Sequence, residues 1–134
     1  MNQRGFATLE VILMVVVIGI LASVAVPRFT DVTTKANTAK IQSDLTTIDT
    51  AIQMFYMEGG KSSELTALSV LVDKKYLQAE PTPPKGSAFT TESTTAQDIP
   101  DNSSYGFNED KTRSVLTIGS NKLTSDKFGS PKKE

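Results

Sequence analysis

The sequence predicts an α+β fold: one long N-terminal helix, a membrane anchor in its first half, with a small antiparallel-sheet domain packed on its second half. Three observations carry this. From Val11 to Val26 there are 16 consecutive residues without a charge, although the 134-residue chain holds 14 Lys and Arg and 15 Asp and Glu. Apolar residues then recur at helical spacing as far as Phe55, and Gly59-Gly60 stops the pattern. Beyond the glycines come short β-type runs separated by polar turns.

The first segment reads Met1-Asn2-Gln3-Arg4-Gly5-Phe6-Ala7-Thr8-Leu9-Glu10, then VILMVVVIGILASVAV, then Pro27-Arg28. Spanning a bilayer takes about 20 residues, and Phe6 to Val26 supplies them if Glu10 is tolerated. Arg4 before the span favours a cytoplasmic N-terminus, and Arg28 on the far side pulls weakly the other way. A secretory signal peptide is a second reading, with small residues for a peptidase at Ser23-Val24-Ala25, but Glu10 interrupts the apolar region that such a peptide needs. A buried core helix is a third, and a chain this short has no core to wrap a helix apolar all round.

Glu10 is the informative residue. An acid within a span costs about 2.5–3.5 kcal/mol, less near the interface, and Glu10 lies only about 6 Å inside Phe6 at 1.5 Å per residue. It either reaches the headgroups or waits for a cation from another subunit.

Arg4-Gly5-Phe6 followed by Glu10 resembles the prepilin cleavage motif shared by type IV pilins and type II secretion pseudopilins. The short basic leader, Gly5 before the aromatic Phe6, and Glu10 match together. Gly19 and Pro27 stand where family members often carry residues that loosen or kink the helix. The departure is Ala7-Thr8-Leu9, where the family more often has Thr-Leu-Ile. The resemblance is strong over about the first 35 residues and loose beyond. It implies that a prepilin peptidase cuts between Gly5 and Phe6 and methylates the new amine of Phe6. It also implies that Glu10 serves assembly. A free amine at Phe6, with an ordinary pKa near 8, is largely cationic at neutral pH, and methylation keeps that charge. In a dry filament core it can neutralise Glu10 of a neighbour and set register.

Three segments follow: a leader over 1–5, a transmembrane and assembly half-helix over 6–27, and a small periplasmic or extracellular domain over 28–134. Proline kinks a helix without always ending it. After Pro27 the pattern resumes at Phe29, Val32, Ala36 and Ala39, then Ile41, Leu45, Ile48, Ile52 and Phe55. A helix from Ala7 to Glu58 would measure about 78 Å, more than a small domain can cover. The stripe from Ile41 to Phe55 is the expected packing face.

Ser62 or Ser63 is expected to cap a second helix through about Leu77, with Leu65, Leu68, Leu71 and Val72 inward, stopped by Pro81, Pro83 and Pro84. Lys85 to Ser103 reads as a long surface loop. Tyr105-Gly106-Phe107 and Arg113 to Ile118 read as two strands joined by Asn108–Lys111. Ser120-Asn121 turns the chain into a weak third strand near Leu123.

The absence of His and Cys removes the commonest nucleophile, base and transition-metal chemistries. It also excludes a disulfide framework, including the C-terminal disulfide loop of many pilins. No catalytic constellation, cofactor or metal is expected, and no enzyme. Some pseudopilins resembling this chain hold calcium in a C-terminal loop, for which Ser125 and Asp126 could supply oxygens. No EF-hand spacing is present, and Asp98, Asp101, Glu109, Asp110 and Asp126 read better as solvated loop acids. Lys74-Lys75 and Pro131-Lys132-Lys133-Glu134 read as solvating charges, too small for a nucleic-acid surface.

The expected role is a structural subunit of a type IV pilus-like filament, held in the bacterial inner membrane as a single-pass protein with its N-terminus in the cytoplasm. After polymerisation it would stand at the cell surface. The alternatives are a type II secretion or competence pseudopilin and, from another class, a monomeric membrane-anchored binding domain. The implied partners are further copies of the chain, the prepilin peptidase, the inner-membrane assembly machinery and the lipid bilayer; nucleic acid enters only as a pilus cargo.

Overall fold

The computed structural model describes residues 3–131, and the side chains of all of these except residues 26–29. Met1, Asn2 and the C-terminal charges Lys132 to Glu134 lie outside the described residues, as do the side chains at and around the expected kink residue Pro27. The chain divides into two compact units, one up to Thr33 and one from Thr34.

Helix α1 (Gln3–Met57) contributes to both. The part up to Thr33 is a single helical segment. In the second unit, the packing face of α1 is Ile41, Leu45, Ile48, Ile52 and Phe55, each no more than 1% exposed. The stripe read from the sequence is therefore the core face. Burying each such side chain stabilises the fold by about 1.5–3 kcal/mol. Upstream, the expectation needs correction. Val32, Ala36 and Ala39 are exposed, and the buried positions are Thr34 and Thr38. A threonine can be buried here because its hydroxyl finds partners: Thr38 Oγ1 donates to Thr34 O at 2.7 Å and accepts from Phe89 N at 2.8 Å.

The end of α1 is a Schellman closure. Gly60 N donates to Phe55 O and Gly59 N to Tyr56 O, both at 3.0 Å, with Gly59 at φ +88°. Gly60 is fixed by packing, since a Cβ there would lie 2.4 Å from the Phe55 ring.

The second helix is shorter than expected. Helix α2 (Leu68–Asp73) has Ala67 at its N-cap with no side-chain cap, so neither Ser62 nor Ser63 caps it. The preceding residues instead form tight turns, Glu64 N to Lys61 O and Thr66 N to Glu64 O. At the other end Lys75 takes φ +65°, and Tyr76 N and Leu77 N both fold back on Leu71 O.

The stretch from Lys85 to Ser103 is not a structureless loop. It contains the antiparallel pair β1 (Gly86–Ala88) and β2 (Gln97–Ile99), with Gly86 opposite Ile99. Each strand buries a single apolar residue, Ala88 and Ile99, too little to give a period. A second sheet holds β3 (Tyr105–Phe107), β4 (Ser114–Ile118) and β5 (Asn121–Leu123) in the order β3-β4-β5, all antiparallel. These are the strands expected from the sequence. Gly119, at φ +62°, opens the two-residue turn between β4 and β5. The core joins the α1 stripe to Leu65, Leu71, Leu77, Ala88, Ile99, Leu116, Leu123 and Phe128.

Candidate assembly site

The sequence singled out Gly5, Phe6, Glu10, Gly19 and Pro27, and all five stand on α1. The Gly5–Phe6 peptide bond lies in the first turn of the helix, where backbone N–H groups lack intrahelical acceptors. Thr8 Oγ1 donates back to Arg4 O at 2.8 Å, a local bond that adds no long-range contact. Phe6 and Glu10 are four residues apart and share one helix face. Both are exposed, and among the described residues Glu10 enters no ion pair.

The large apolar residues from Phe6 to Val24 are between 48% and 66% exposed. Cβ atoms added at Gly5 or Gly19 would meet nothing within 4 Å. Neither glycine is therefore demanded by packing inside this unit. The site is chemically simple: an apolar rod with one acid and no internal partner. Within the described residues α1 is the one helix long and apolar enough to cross a membrane, by length and composition.

In the second unit the polar residues flanking the α1 stripe hold the later segments, and sequence reasoning missed them. Asn37 Nδ2 donates to Lys85 O (3.0 Å) and Ser87 O (3.1 Å), fixing the start of β1. Gln42 Nε2 donates to Phe128 O. Asp44 accepts from the Tyr105 hydroxyl at 2.8 Å. Burial pushes the Tyr105 phenol well above its ordinary range, and the bond to Asp44 adds to the shift. Asp49 accepts from Ser114 N (2.6 Å) and Ser114 Oγ (2.7 Å), so one carboxylate satisfies a buried strand residue twice. These residues read as a solvent face by period. The available signal was that each sits next to a core position, where a short side chain can reach a neighbouring backbone.

Asp126 is exposed, as a solvated loop acid should be, yet it has side-chain partners. Arg113 reaches Asp126 Oδ1 with Nη1 at 3.1 Å and Ser125 Oγ with Nη2 at 3.1 Å, and stands 3.6 Å from Asp49. The Asp126 carboxyl is held below its usual range, first by the Thr124 hydroxyl at 2.6 Å and further by Arg113. The two oxygens considered as calcium ligands, Ser125 and Asp126, are thus bound to a guanidinium. Lys74, read as a solvating charge, pairs with Glu64 at 2.7 Å and lies over the Phe55 ring, 4.9 Å from its centre.

Over 81 residues the chain is 35% identical to the type II secretion system core protein G of Pectobacterium carotovorum subsp. carotovorum, covering 60% of this chain and 52% of that protein. The resemblance to pilins and pseudopilins holds. The corresponding protein of Aeromonas hydrophila is 34% identical over 81 residues, covering 60% and 57%. A fimbrial protein of Pseudomonas aeruginosa is 30% identical over 74 residues, covering 55% and 46%. The chain spans about half the length of these curated relatives. No protein-family model and no solved structure matches it.

Proposed function

We propose that this chain is a structural subunit of a pilin-like filament, stored in the inner membrane through residues 6–27 and polymerised through the same residues. The observation that carries this reading is the uncovered apolar run of α1 interrupted by one acid, Glu10. A bare membrane anchor has no use for that acid, which costs about 2.5–3.5 kcal/mol at a span centre. A filament gives it a partner. Cleavage between Gly5 and Phe6 by a prepilin peptidase, with methylation of the amine, would place a cation at Phe6. The Phe6 amine of one subunit then neutralises Glu10 of the next. In lipid the helix satisfies its own backbone, so the same segment serves both environments. Gly19 and Pro27 would supply local looseness for the passage between them. Residues 28–134 form the domain outside the membrane, with the N-terminus in the cytoplasm.

Between the machines, the secretion pseudopilin is the second reading, favoured by the relatives named type II secretion system core protein G. The pilus reading has the fimbrial relative. One experiment tests the shared claim. Mass analysis of the N-terminal peptide from the membrane fraction is expected to give a chain beginning at methylated Phe6, and electron microscopy of sheared fractions to give filaments containing it. A chain beginning at Val26, as after a signal peptidase, would sink the proposal.

A further inference from the structure

We propose that the open edge of β3 is a docking site for an extended, basic peptide segment of another protein, which adds to the sheet as a fourth strand. This goes beyond the filament role, since it concerns the small domain and none of residues 6–27.

The register fixes which backbone groups are on offer. Asn108 N donates to Arg113 O at 3.0 Å, so residues 108 and 113 form a hydrogen-bonded pair. Counting back along the ladder, Gly106 and Val115 form the next such pair, while Tyr105 and Phe107 stand opposite Leu116 and Ser114 in the alternate positions. The N–H and C=O groups of Tyr105 and Phe107 therefore point away from β4. Among the described residues no strand pairs with that side of β3. Two residues at i and i+2 presenting donor and acceptor in turn are the pattern that an added strand requires.

What lies beside this edge is a groove of about 600 Å³. Its lining combines β3 with Thr66, Ala67 and Leu68 at the start of α2, and with Lys111. The edge is held in shape before any partner arrives. Asn108 Oδ1 accepts from Thr112 N (2.9 Å) and Arg113 N (3.0 Å), and the Tyr56 hydroxyl donates to Lys111 O at 2.9 Å. The Tyr105 ring is anchored inward by its bond to Asp44. A preorganised edge saves ordering cost on binding.

Charge selects the occupant. Glu80 and Glu109 both line the groove, both are exposed, and neither forms an ion pair among the described residues. The one cation in the lining, Lys111, donates to Ser62 O at 3.1 Å. A segment with Lys or Arg at alternate positions would present both cations on one face of the added strand, where they can meet the two acids of the groove.

The test uses the full chain in detergent micelles and a blocked pentapeptide, Thr-Lys-Val-Lys-Thr. Amide hydrogen exchange read by NMR is expected to show the N–H groups of Tyr105 and Phe107 protected on adding the peptide. The same peptide N-methylated at alternate residues should give no protection. A Glu-for-Lys peptide should bind about three- to tenfold more weakly, the range that two exposed ion pairs support. The double variant Glu80→Lys with Glu109→Lys, whose changes are confined to exposed side chains, should reverse that order. Equal binding of the N-methylated peptide, or protection at β1 or β5 instead, overturns the proposal. Protection of Tyr105 and Phe107 that rises with protein concentration without peptide overturns the choice of occupant, since a second copy would then fill the edge.

Discussion

Valine, isoleucine and leucine occur in both units, with opposite fates. Up to Thr33, Ile12, Leu13, Ile18 and Leu21 are each more than half exposed; from Thr34 on, Ile41, Leu45, Ile48 and Ile52 are fully buried. Residue type is the same, so hydrophobicity alone does not decide burial. What differs is pattern. The second unit gathers its large buried residues of α1 on one stripe and flanks them with Asn37, Gln42, Asp44 and Asp49, which bind the segments that cover the stripe. From Val11 to Ala25 the first unit carries no charge on any face. A helix apolar all round needs a surrounding medium rather than a neighbour on one side.

Cutting the two apart is the largest perturbation of this contrast. A chain beginning at Arg28 is expected to be monomeric, water-soluble and folded, because no residue before Thr34 belongs to the core cluster. Sedimentation and circular dichroism would check it. An unfolded product would show that the first unit contributes to the fold of the second.

Next in size is Glu10→Leu. It makes the first unit uniformly apolar, so membrane insertion should be unchanged or better. In the proposed filament it leaves the Phe6 amine unpaired, at about 3–5 kcal/mol per subunit. Processed protein should accumulate in the membrane while filament counts by electron microscopy fall to near zero. Glu10→Asp should be intermediate, its carboxylate set back by one methylene. Filaments of normal number and length from Glu10→Leu would reduce Glu10 to a tolerated interfacial acid.

Two substitutions probe the second unit. Leu45→Ala should destabilise it by about 2–5 kcal/mol in urea denaturation, as a fully buried side chain replaced by a cavity does. Leu13→Ala, the matched change in the first unit, should leave that midpoint unmoved. Gly60→Ala forces a methyl against the Phe55 ring and should cost about 1–3 kcal/mol.

Much of this contrast was legible in the residues themselves. The stripe at Ile41, Leu45, Ile48, Ile52 and Phe55 carries a strong period, and the glycine pair after it marks the helix end. Strands β3 to β5 were legible because Tyr105, Phe107, Val115 and Leu116 cluster between polar turns. Strands β1 and β2 were not. They are three residues long, and what holds them is long-range: Asn37 to the backbone around Gly86, and the bridge between Thr90 and Phe128. The cap expected at Ser62 or Ser63 failed because residues 61–66 form tight turns and the helix begins only at Leu68. The candidate site is the reverse case. Its motif at Gly5, Phe6 and Glu10 is plain in sequence, and the isolated chain gives it no partner to display.

The smallest expected effect concerns Tyr105, where the two ways of holding a side chain meet: its ring joins the core and its hydroxyl donates to Asp44 at 2.8 Å. Burial, then the bond to Asp44, raises its pKa in the folded state above the ordinary value of 10.0. An unfolded tyrosine releases its proton near pH 10, while the folded one keeps it. A group with a raised folded pKa contributes stability that is complete below the unfolded pKa and is lost as pH rises beyond it. The second unit should therefore lose stability above about pH 10. Lys127, raised by its bond to Glu92, and Tyr76, raised by its bond to Glu58, act in the same direction. Tyr105→Phe keeps the ring and removes the titrating hydroxyl. At neutral pH it should cost about 1–3 kcal/mol, since the Asp44 carboxylate loses a donor. Between pH 9 and 11 its urea midpoint should fall less steeply than that of the native chain, by roughly the share of one tyrosine proton. If the two alkaline profiles run parallel, Tyr105 ionises as freely folded as unfolded, and its hydroxyl is not shielded by the core.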